Sequence, residues 1–560
     1  MKRLLSIVAM TALLALSCGA GSTSARDSGA GTPSNPPPGG GPGAAPASKY
    51  ALVAWSELGM HCIDGKDYSI FSILPPYNII HAQLLKKGEP PIPVTTGVTI
   101  TYQAIKDASG SGNSSSAGKT NFWNYVRTLF LNSVPPETGL AGYKTQSKTP
   151  QNMNYNTTEG YWEGVGIPTV NYDDQGKFAP FPMAKLVAKD STGVVLATAS
   201  IVLSVSDEIS CNTCHGSNTD PAAKPASGWV NNPDPAKDAK LNILKKHDDR
   251  WPITQYLSQL QGLGWTYQSS LYQTAVSGTP VLCAACHSDN ALSLPGLPGI
   301  GSEASDMHLL HGPQVLLSNN KTLDQNSATS DLNSCYLCHP GPVTQCKRGA
   351  MNTQLCANCH GNVSYVGTAS RNPWLVEPAC QMCHNTSQRY TTTFDTNGQW
   401  RQTTDKTFAT NDNVPITGSN LYRYSFGHGT VACSGCHGSP HAEFPTLQAN
   451  DNVYATALQG YAAKITECTV CHTSKLAVTG NGGPHGLHNV GQTWVNGHPN
   501  YVDSHGYQAC AYCHGANYRG LALSESKVAR TFQVDDGGTK TFPAGHQFNC
   551  YDCHNGPNGG

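Results

Sequence analysis

The residues with the clearest chemistry in this chain are nine repeats of Cys-x-x-Cys-His, all in its C-terminal two-thirds. Two thiols at this spacing can add across the two vinyl groups of a haem, and the adjacent histidine then lies under the iron as its proximal ligand. The sequence therefore predicts nine covalently attached c-type haems. The motif residues are Cys211, Cys214, His215; Cys283, Cys286, His287; Cys335, Cys338, His339; Cys356, Cys359, His360; Cys380, Cys383, His384; Cys433, Cys436, His437; Cys468, Cys471, His472; Cys510, Cys513, His514; and Cys550, Cys553, His554.

Two other uses of paired cysteines explain the motifs less well. A zinc site and a redox dithiol both use Cys-x-x-Cys, but neither needs a histidine as the next residue. Here all nine cysteine pairs are followed by histidine, although the chain has only 21 histidines among 560 residues. Haem attachment is the interpretation that accounts for the histidine.

A six-coordinate, low-spin iron needs a second axial ligand, and twelve histidines lie outside the motifs. His61 and His81 belong to the N-terminal part of the chain. The other ten are the candidate distal ligands, namely His247, His308, His311, His428, His441, His485, His488, His498, His505 and His546. Within His308/His311 and His485/His488 the spacing is three, so on a helix each pair shares one face and could serve two neighbouring haems. Almost every remaining histidine is therefore expected to be a ligand.

The first residues indicate export. Met1-Lys2-Arg3 precedes an apolar run that is too short to span a bilayer and is typical of a secretory signal. The run ends in Ala15-Leu16-Ser17-Cys18-Gly19, which resembles a bacterial lipobox and predicts lipidation of Cys18; an ordinary signal peptide with an incidental cysteine is the alternative. Residues 19–48 are almost all Gly, Ser, Ala, Pro and Thr, and we expect a disordered tether there.

Cys62 and Cys346 are the two cysteines left over. In an oxidising compartment they could form a disulfide, or they could remain as two buried thiols. The cluster Met60-His61-Cys62, together with His81, has the ligand types of a copper site, but its order does not match a blue-copper site. A packing role, or contact of one histidine with the nearest haem, is the other interpretation.

Composition and periodicity define the fold class. Charged residues are only 13% of the chain, glycines number 57, and the formal charge is −1, which gives no indication of nucleic-acid binding. We predict a mixed fold, in which a β-sandwich-like domain precedes a loop-rich, short-helix multihaem domain organised around covalent haems. Its segments are a signal peptide with a lipobox (1–18), the tether (19–48), a β-rich domain (49–208) and a nine-haem domain (209–560). The β-like runs are 50–55, 98–105 and 194–205, and 121–131 is the best helix candidate before residue 208.

Residues 211–554 resemble the large multihaem c-type cytochromes of metal-reducing bacteria, in particular their outer-membrane lipoprotein members. The lipobox-like Cys18, the tether and the haem motifs carry this resemblance, as do Met307-His308-Leu309-Leu310-His311-Gly312 and Pro484-His485-Gly486-Leu487-His488. It implies electron transfer to extracellular acceptors or other redox proteins, and attachment to the outer membrane through a lipid, at the cell surface or on the periplasmic face. The oligomeric state stays open.

Two other functions are alternatives to an electron conduit. Multihaem reductases have a similar haem density and keep one iron open for substrate, but they commonly replace one motif histidine with lysine, and no Cys-x-x-Cys-Lys occurs here. A subunit of a polymeric cytochrome wire is the second rival, which a lipid anchor disfavours. The sequence predicts an electron-transfer protein rather than a substrate-specific enzyme, and it identifies no catalytic residue.

Overall fold

The computed structural model describes residues 48–352, 354–368, 422–424, 426–427 and 431–474, and most of the stretch from 491 to 557. The predicted signal peptide, Cys18 and nearly all of the tether lie outside the described residues. The motif Cys380–His384, Cys513 and the candidate ligands His428, His485 and His488 also lie outside them.

The strands concentrate before residue 210. In chain order they are β1 (Tyr50–Ser56), β2 (His61–Cys62), β3 (Phe71–Ser72), β4 (Asn78–Lys86), β5 (Ile92–Pro93), β6 (Val98–Ile105), β7 (Gln151–Asn152), β8 (Asn154–Asn156), β9 (Tyr161–Ile167), β10 (Met183–Asp190), β11 (Val195–Val202), β12 (Val205–Ser206), β13 (Val281–Leu282), β14 (Phe426–Gly427), β15 (Val431–Ala432), β16 (Gly438–Ser439), β17 (Ala442–Glu443), β18 (Arg530–Val534) and β19 (Gly538–Phe542).

Two antiparallel sheets share one core. The first has the order β1-β4-β9-β8, with β5 paired to β4, and the second has the order β11-β10-β6-β7. Because side chains alternate along a strand, every second residue points between the sheets. Leu52, Ile80, Tyr102 and Leu186 meet there and are at most 1% exposed.

The outer face of the first sheet is also buried. Val53, Trp55 and Leu85 pack against Ala432, the residue before the motif that starts at Cys433. The Ala432 amide donates a hydrogen bond to the Gln83 side chain at 3.0 Å. The described residues thus belong to one compact unit, and the predicted boundary at residue 208 marks a change from strands to short helices without separating two cores.

Short helices dominate the region of the motifs. The helices of the described residues are α1 (Phe122–Phe130), α2 (Asn212–His215), α3 (Pro235–Arg250), α4 (Leu257–Leu263), α5 (Leu271–Val276), α6 (Glu303–Gln314), α7 (Leu323–Ser327), α8 (Ala357–His360), α9 (Val363–Val366), α10 (Cys433–His437), α11 (Ala449–Gln459) and α12 (Gln492–His505). None of them combines the length and the apolar character needed to cross a bilayer.

The longer helices begin at recognisable caps. The Asp234 carboxylate accepts hydrogen bonds from the amides of Ala236 and Lys237 and so caps α3, with Pro235 in the first turn. Ser302 caps α6 through the amide of Ser305. These two caps fix the start of the helices that carry His247, His308 and His311.

Candidate functional site

Each motif forms one tight turn in the parts of the chain where its hydrogen bonds are described. The amide of the motif histidine donates to the carbonyl of the first cysteine, as in His215 to Cys211 at 2.8 Å and His360 to Cys356 at 2.9 Å. Residues three and four apart share one face of such a turn. Both sulfur atoms and the imidazole are therefore presented on the same side of the backbone, which is the arrangement that attachment to one porphyrin requires.

Five motif histidines face a histidine from outside the motifs. The ring-centre separations are 6.3 Å for His215 and His311, 6.4 Å for His287 and His247, 6.0 Å for His339 and His308, 5.9 Å for His360 and His441, and 5.9 Å for His554 and His498. The structure thus brings five of the ten candidate distal ligands next to a motif histidine.

The separations fit a metal ion held between the two rings. A nitrogen ligand lies about 2 Å from a first-row metal ion and its ring centre about 1.1 Å farther, so two imidazoles on opposite sides of one iron have ring centres about 6 Å apart. The five pairs therefore fit axial ligation of one haem iron each.

Hydrogen bonds orient three of the outside histidines. The Nδ1 atoms of His308, His311 and His498 lie 2.6, 2.7 and 2.9 Å from the backbone carbonyls of Ala304, Met307 and Val495. A carbonyl only accepts, so each Nδ1 carries the proton and each Nε2 keeps its lone pair. Metal-bound histidines typically have such a partner, because it fixes both the tautomer and the ring orientation.

Helix α6 joins two pairs. His308 and His311 stand one turn apart on it, and they face the histidines of the third and first motifs respectively. Met307 and Leu309, next to these ligands, are 42% and 44% exposed. This apolar surface beside two candidate axial ligands is suited to contact with a porphyrin.

Burial keeps the ring nitrogens neutral. Burial, followed by the charge of His311, lowers the pKa of His215 to about 4. Burial, followed by the charges of His308 and His441, lowers the pKa of His339 to about 4. A neutral imidazole at neutral pH is the form that binds a metal ion.

Neighbouring motifs approach each other closely. The sulfur atoms of Cys335 and Cys356 and a carboxylate oxygen of Asp331 all lie within 4.8 Å of one another. This trio has the ligand types of a three-coordinate metal site, but both cysteines are the first residues of haem motifs, which would convert them to thioethers. Elsewhere, burial and then the charges of Cys211 and Cys214 raise the pKa of Cys338 to about 12, which places the first motif beside the third.

Other predicted ligands have different surroundings. The Nε2 of His546 lies 2.8 Å from a carboxylate oxygen of Asp552, so the structure turns this histidine toward an acid. Helix α12 includes His505, whose side chain lies outside the described residues. His428, His485 and His488 lie outside them entirely. Ligation stays a prediction for these residues, as it does for the five histidines that face a motif histidine.

The cluster of Met60, His61 and His81 is fully buried, with exposures of 5%, 1% and 2%. Neither ring nitrogen of His61 or His81 has a hydrogen-bond partner in the described part of the chain. Glu57 approaches His81 Nε2 to 3.7 Å, which is too long for a hydrogen bond. Among the described residues, the one group of three His, Cys, Asp or Glu side chains with ligand atoms within 4.8 Å of one another is Asp331, Cys335 and Cys356, so His61, Cys62 and His81 do not form such a group.

Cys62 and Cys346 are not bonded to each other in this structure. Burial and then the charge of Cys346 raise the pKa of Cys62 to about 12, so the two residues are neighbours although 284 positions separate them. The sulfur of Cys346 also lies 3.8 Å from Nδ1 of His441.

Two residues in contact with motif or distal histidines have no sequence signal. Glu89 accepts a hydrogen bond from Nδ1 of His472 at 2.8 Å across 383 positions, and Cys346 contacts His441 across 95. No spacing rule relates such distant residues, so only the folded chain identifies them.

No protein-family model, no curated protein and no solved structure matches this chain, and its function is therefore argued from its own residues.

Proposed function

We propose that this chain is a multihaem c-type cytochrome that carries electrons along nine covalently bound haems toward extracellular acceptors, such as metal oxides or partner cytochromes. The observation that carries the proposal is the set of five histidine pairs, each joining a motif histidine to a histidine outside the motifs at 5.9 to 6.4 Å. When bound, each haem would supply an iron that alternates between the ferric and ferrous states.

The pairs favour a conduit over an enzyme. Two imidazoles occupy both axial positions of an iron, so a pair leaves no position open to a substrate. Beyond the five pairs, the motif histidines are His384, His437, His472 and His514. Five candidate distal ligands also remain, and His546 among them is turned toward Asp552. The other four, which match these motif histidines in number, are His428, His485, His488 and His505. A full set of paired ligands is therefore consistent with the chain's histidine content.

Contacts between motifs support a continuous route. Helix α6 links the first and third motifs through His311 and His308, and the sulfur atoms of Cys335 and Cys356 link the third to the fourth. His441, opposite the fourth motif's histidine, comes four residues after His437 of the sixth motif.

The route extends toward the seventh motif. Burial and then the charge of Cys471 raise the pKa of Cys436 to about 12, which relates the sixth motif to the seventh. The chain would hold these groups rigidly because α10 packs on the outer face of the first sheet.

A haem-to-protein ratio with an EPR spectrum of the oxidised full-length protein tests the proposal. We expect nine haems per chain and low-spin signals throughout. A ratio near zero would refute haem attachment. A substantial high-spin signal that shifts with nitrite, hydroxylamine or tetrathionate would instead favour a reductase with an open-coordinated haem.

We also propose that the protein is an outer-membrane lipoprotein. Its support is the sequence around Cys18 and the tether that follows it. Mass spectrometry of the N-terminal peptide should find a diacylglycerol on Cys18, and Cys18→Ala should move the protein out of the membrane fraction. Electron microscopy of the purified protein should show discrete particles, whereas filaments would favour the polymeric wire.

A further inference from the structure

His441 is held in place by residues 346–349, a segment between the third and fourth motifs. It lies in the turn between β16 and β17, with a backbone φ of +64°. Its carbonyl accepts hydrogen bonds from the amides of Arg348 and Gly349 at 2.9 and 2.6 Å. Its own amide donates to a carboxylate oxygen of Glu443 at 2.8 Å. A non-glycine residue in this left-handed conformation persists only when such contacts maintain it.

The same segment contacts the ring of His441. Sγ of Cys346 lies 3.8 Å from Nδ1, which is within hydrogen-bonding range for sulfur. The ring centre of His441 also lies 5.9 Å from that of His360. If Nε2 is to bind an iron, Nδ1 must carry the proton, and the sulfur is then the acceptor.

This acceptor differs from those of three other candidate distal histidines. His308, His311 and His498 donate from Nδ1 to backbone carbonyls at 2.6 to 2.9 Å. A thiol sulfur is a much weaker acceptor than a carbonyl oxygen. Because a strong acceptor makes a bound imidazole more basic and so favours the ferric ion, a weak acceptor leaves the ferrous ion relatively more stable.

We propose that Cys346 is the positioning residue of His441: its thiol accepts the Nδ1 proton, directs Nε2 toward the iron shared with His360, and gives that iron a higher reduction potential than a carbonyl acceptor would. This inference rests on the proposed function, because it requires a haem at Cys356 and Cys359. It makes the fourth motif a high-potential position between the third and sixth motifs.

The test is a redox titration with EPR on full-length holoprotein carrying Cys346→Ser or Cys346→Ala, with Cys62→Ser as the matched control. Serine supplies a stronger oxygen acceptor, so Cys346→Ser should lower the midpoint potential of one haem and change one set of low-spin g-values. Cys346→Ala, which removes the acceptor, should leave the potential of that haem unchanged or higher, with a broadened low-spin signal. Cys62→Ser should leave all the potentials as in the unsubstituted protein.

Two outcomes overturn the role of Cys346. In the first, both Cys346 variants have the same potentials and g-values as the unsubstituted protein. The other is peptide mapping of the native protein that finds Cys346 joined to Cys62 in a disulfide. If Cys346→Ala loses haem, the midpoint potentials and g-values of Cys346→Ser test the role of Cys346. Absence of haem from the unsubstituted protein would refute the proposed function itself, so the two failures are distinguishable.

Discussion

The sulfur atoms of Cys335 and Cys356 lie within 4.8 Å of each other, although each opens a separate Cys-x-x-Cys-His motif. If both sulfurs are thioethers, the two porphyrins that they hold approach each other at these sulfur atoms. The same 4.8 Å cluster contains a carboxylate oxygen of Asp331, which also forms an ion pair with Lys347 at 2.7 Å. One acid therefore lies beside two adjacent haem positions of the proposed cytochrome.

Replacing this acid should change both potentials. We expect Asp331→Asn to raise the midpoint potentials of the haems on the third and fourth motifs, because a nearby negative charge favours the ferric ion. The interaction is on the order of 1 kcal/mol at an effective dielectric constant of about 20, which corresponds to about 40 mV for one electron. Spectroelectrochemical titration measures the shift. Asp190→Asn, at the end of β10, is the control and should shift none of the potentials.

The two histidines of α6 should act on different irons. His308→Ala and His311→Ala should each convert one low-spin haem to high spin, and the double variant should convert two, because the residues face His339 and His215 respectively. EPR integration of the high-spin signal measures this. His546→Gln is the matched control, since Nε2 of His546 contacts Asp552, and it should produce no high-spin signal. One shared high-spin haem in both single variants would contradict the assigned pairs.

Local spacing predicted much of the candidate site. The motifs identify both cysteines and the histidine of each turn, because attachment to one porphyrin fixes their separation along the chain. The spacing of His308 and His311 correctly placed them one turn apart on a helix, α6. Strand and helix runs such as 98–105 and 121–131 also correspond closely to β6 and α1, because alternation and amphipathic periodicity are local properties.

Contacts between distant segments were beyond sequence reasoning. Nothing in the pattern around Trp55 and Leu85 distinguishes a solvated sheet face from a buried one, and the structure packs this face against Ala432, the residue before the motif at Cys433. Which histidine faces which motif depends on chain reversals across loops, as with His441 and His360. The contact of Glu89 with His472 and that of Cys346 with His441 also form only when the chain folds.

His61 should make stability depend on pH. Burial lowers its pKa to about 4, whereas an unfolded histidine titrates near 6.5. Below pH 6.5 the unfolded chain therefore takes up a proton that the folded chain does not, so stability falls as the pH falls from about 6.5 to 4. The full difference is about 3 kcal/mol.

A single substitution isolates this effect. His61→Phe keeps an aromatic ring near Tyr77, whose ring centre lies 4.8 Å from that of His61, but removes the titrating group. The variant should lose less stability than the unsubstituted protein between pH 7 and pH 4, as measured by denaturation midpoints in urea. Parallel pH profiles for the two proteins would contradict the assignment.

The ion pair between Arg348 and Asp451 should be essential to the packing of the sheets against the motif region. Arg348 is 1% exposed; its Nε and Nη2 donate to the carboxylate at 2.6 and 3.0 Å, and its Nη1 donates to the carbonyl of Gly59 at 2.6 Å. Asp451→Asn leaves the guanidinium buried without its counter-charge and should destabilise the protein by about 3–5 kcal/mol. The double variant Arg348→Met with Asp451→Leu removes both charges, and it should recover most of that loss. Urea denaturation measures the free energy of unfolding of the two variants. Equal destabilisation in both would show that the contact with Gly59, rather than the charge pair, stabilises the packing of the sheets against the motif region.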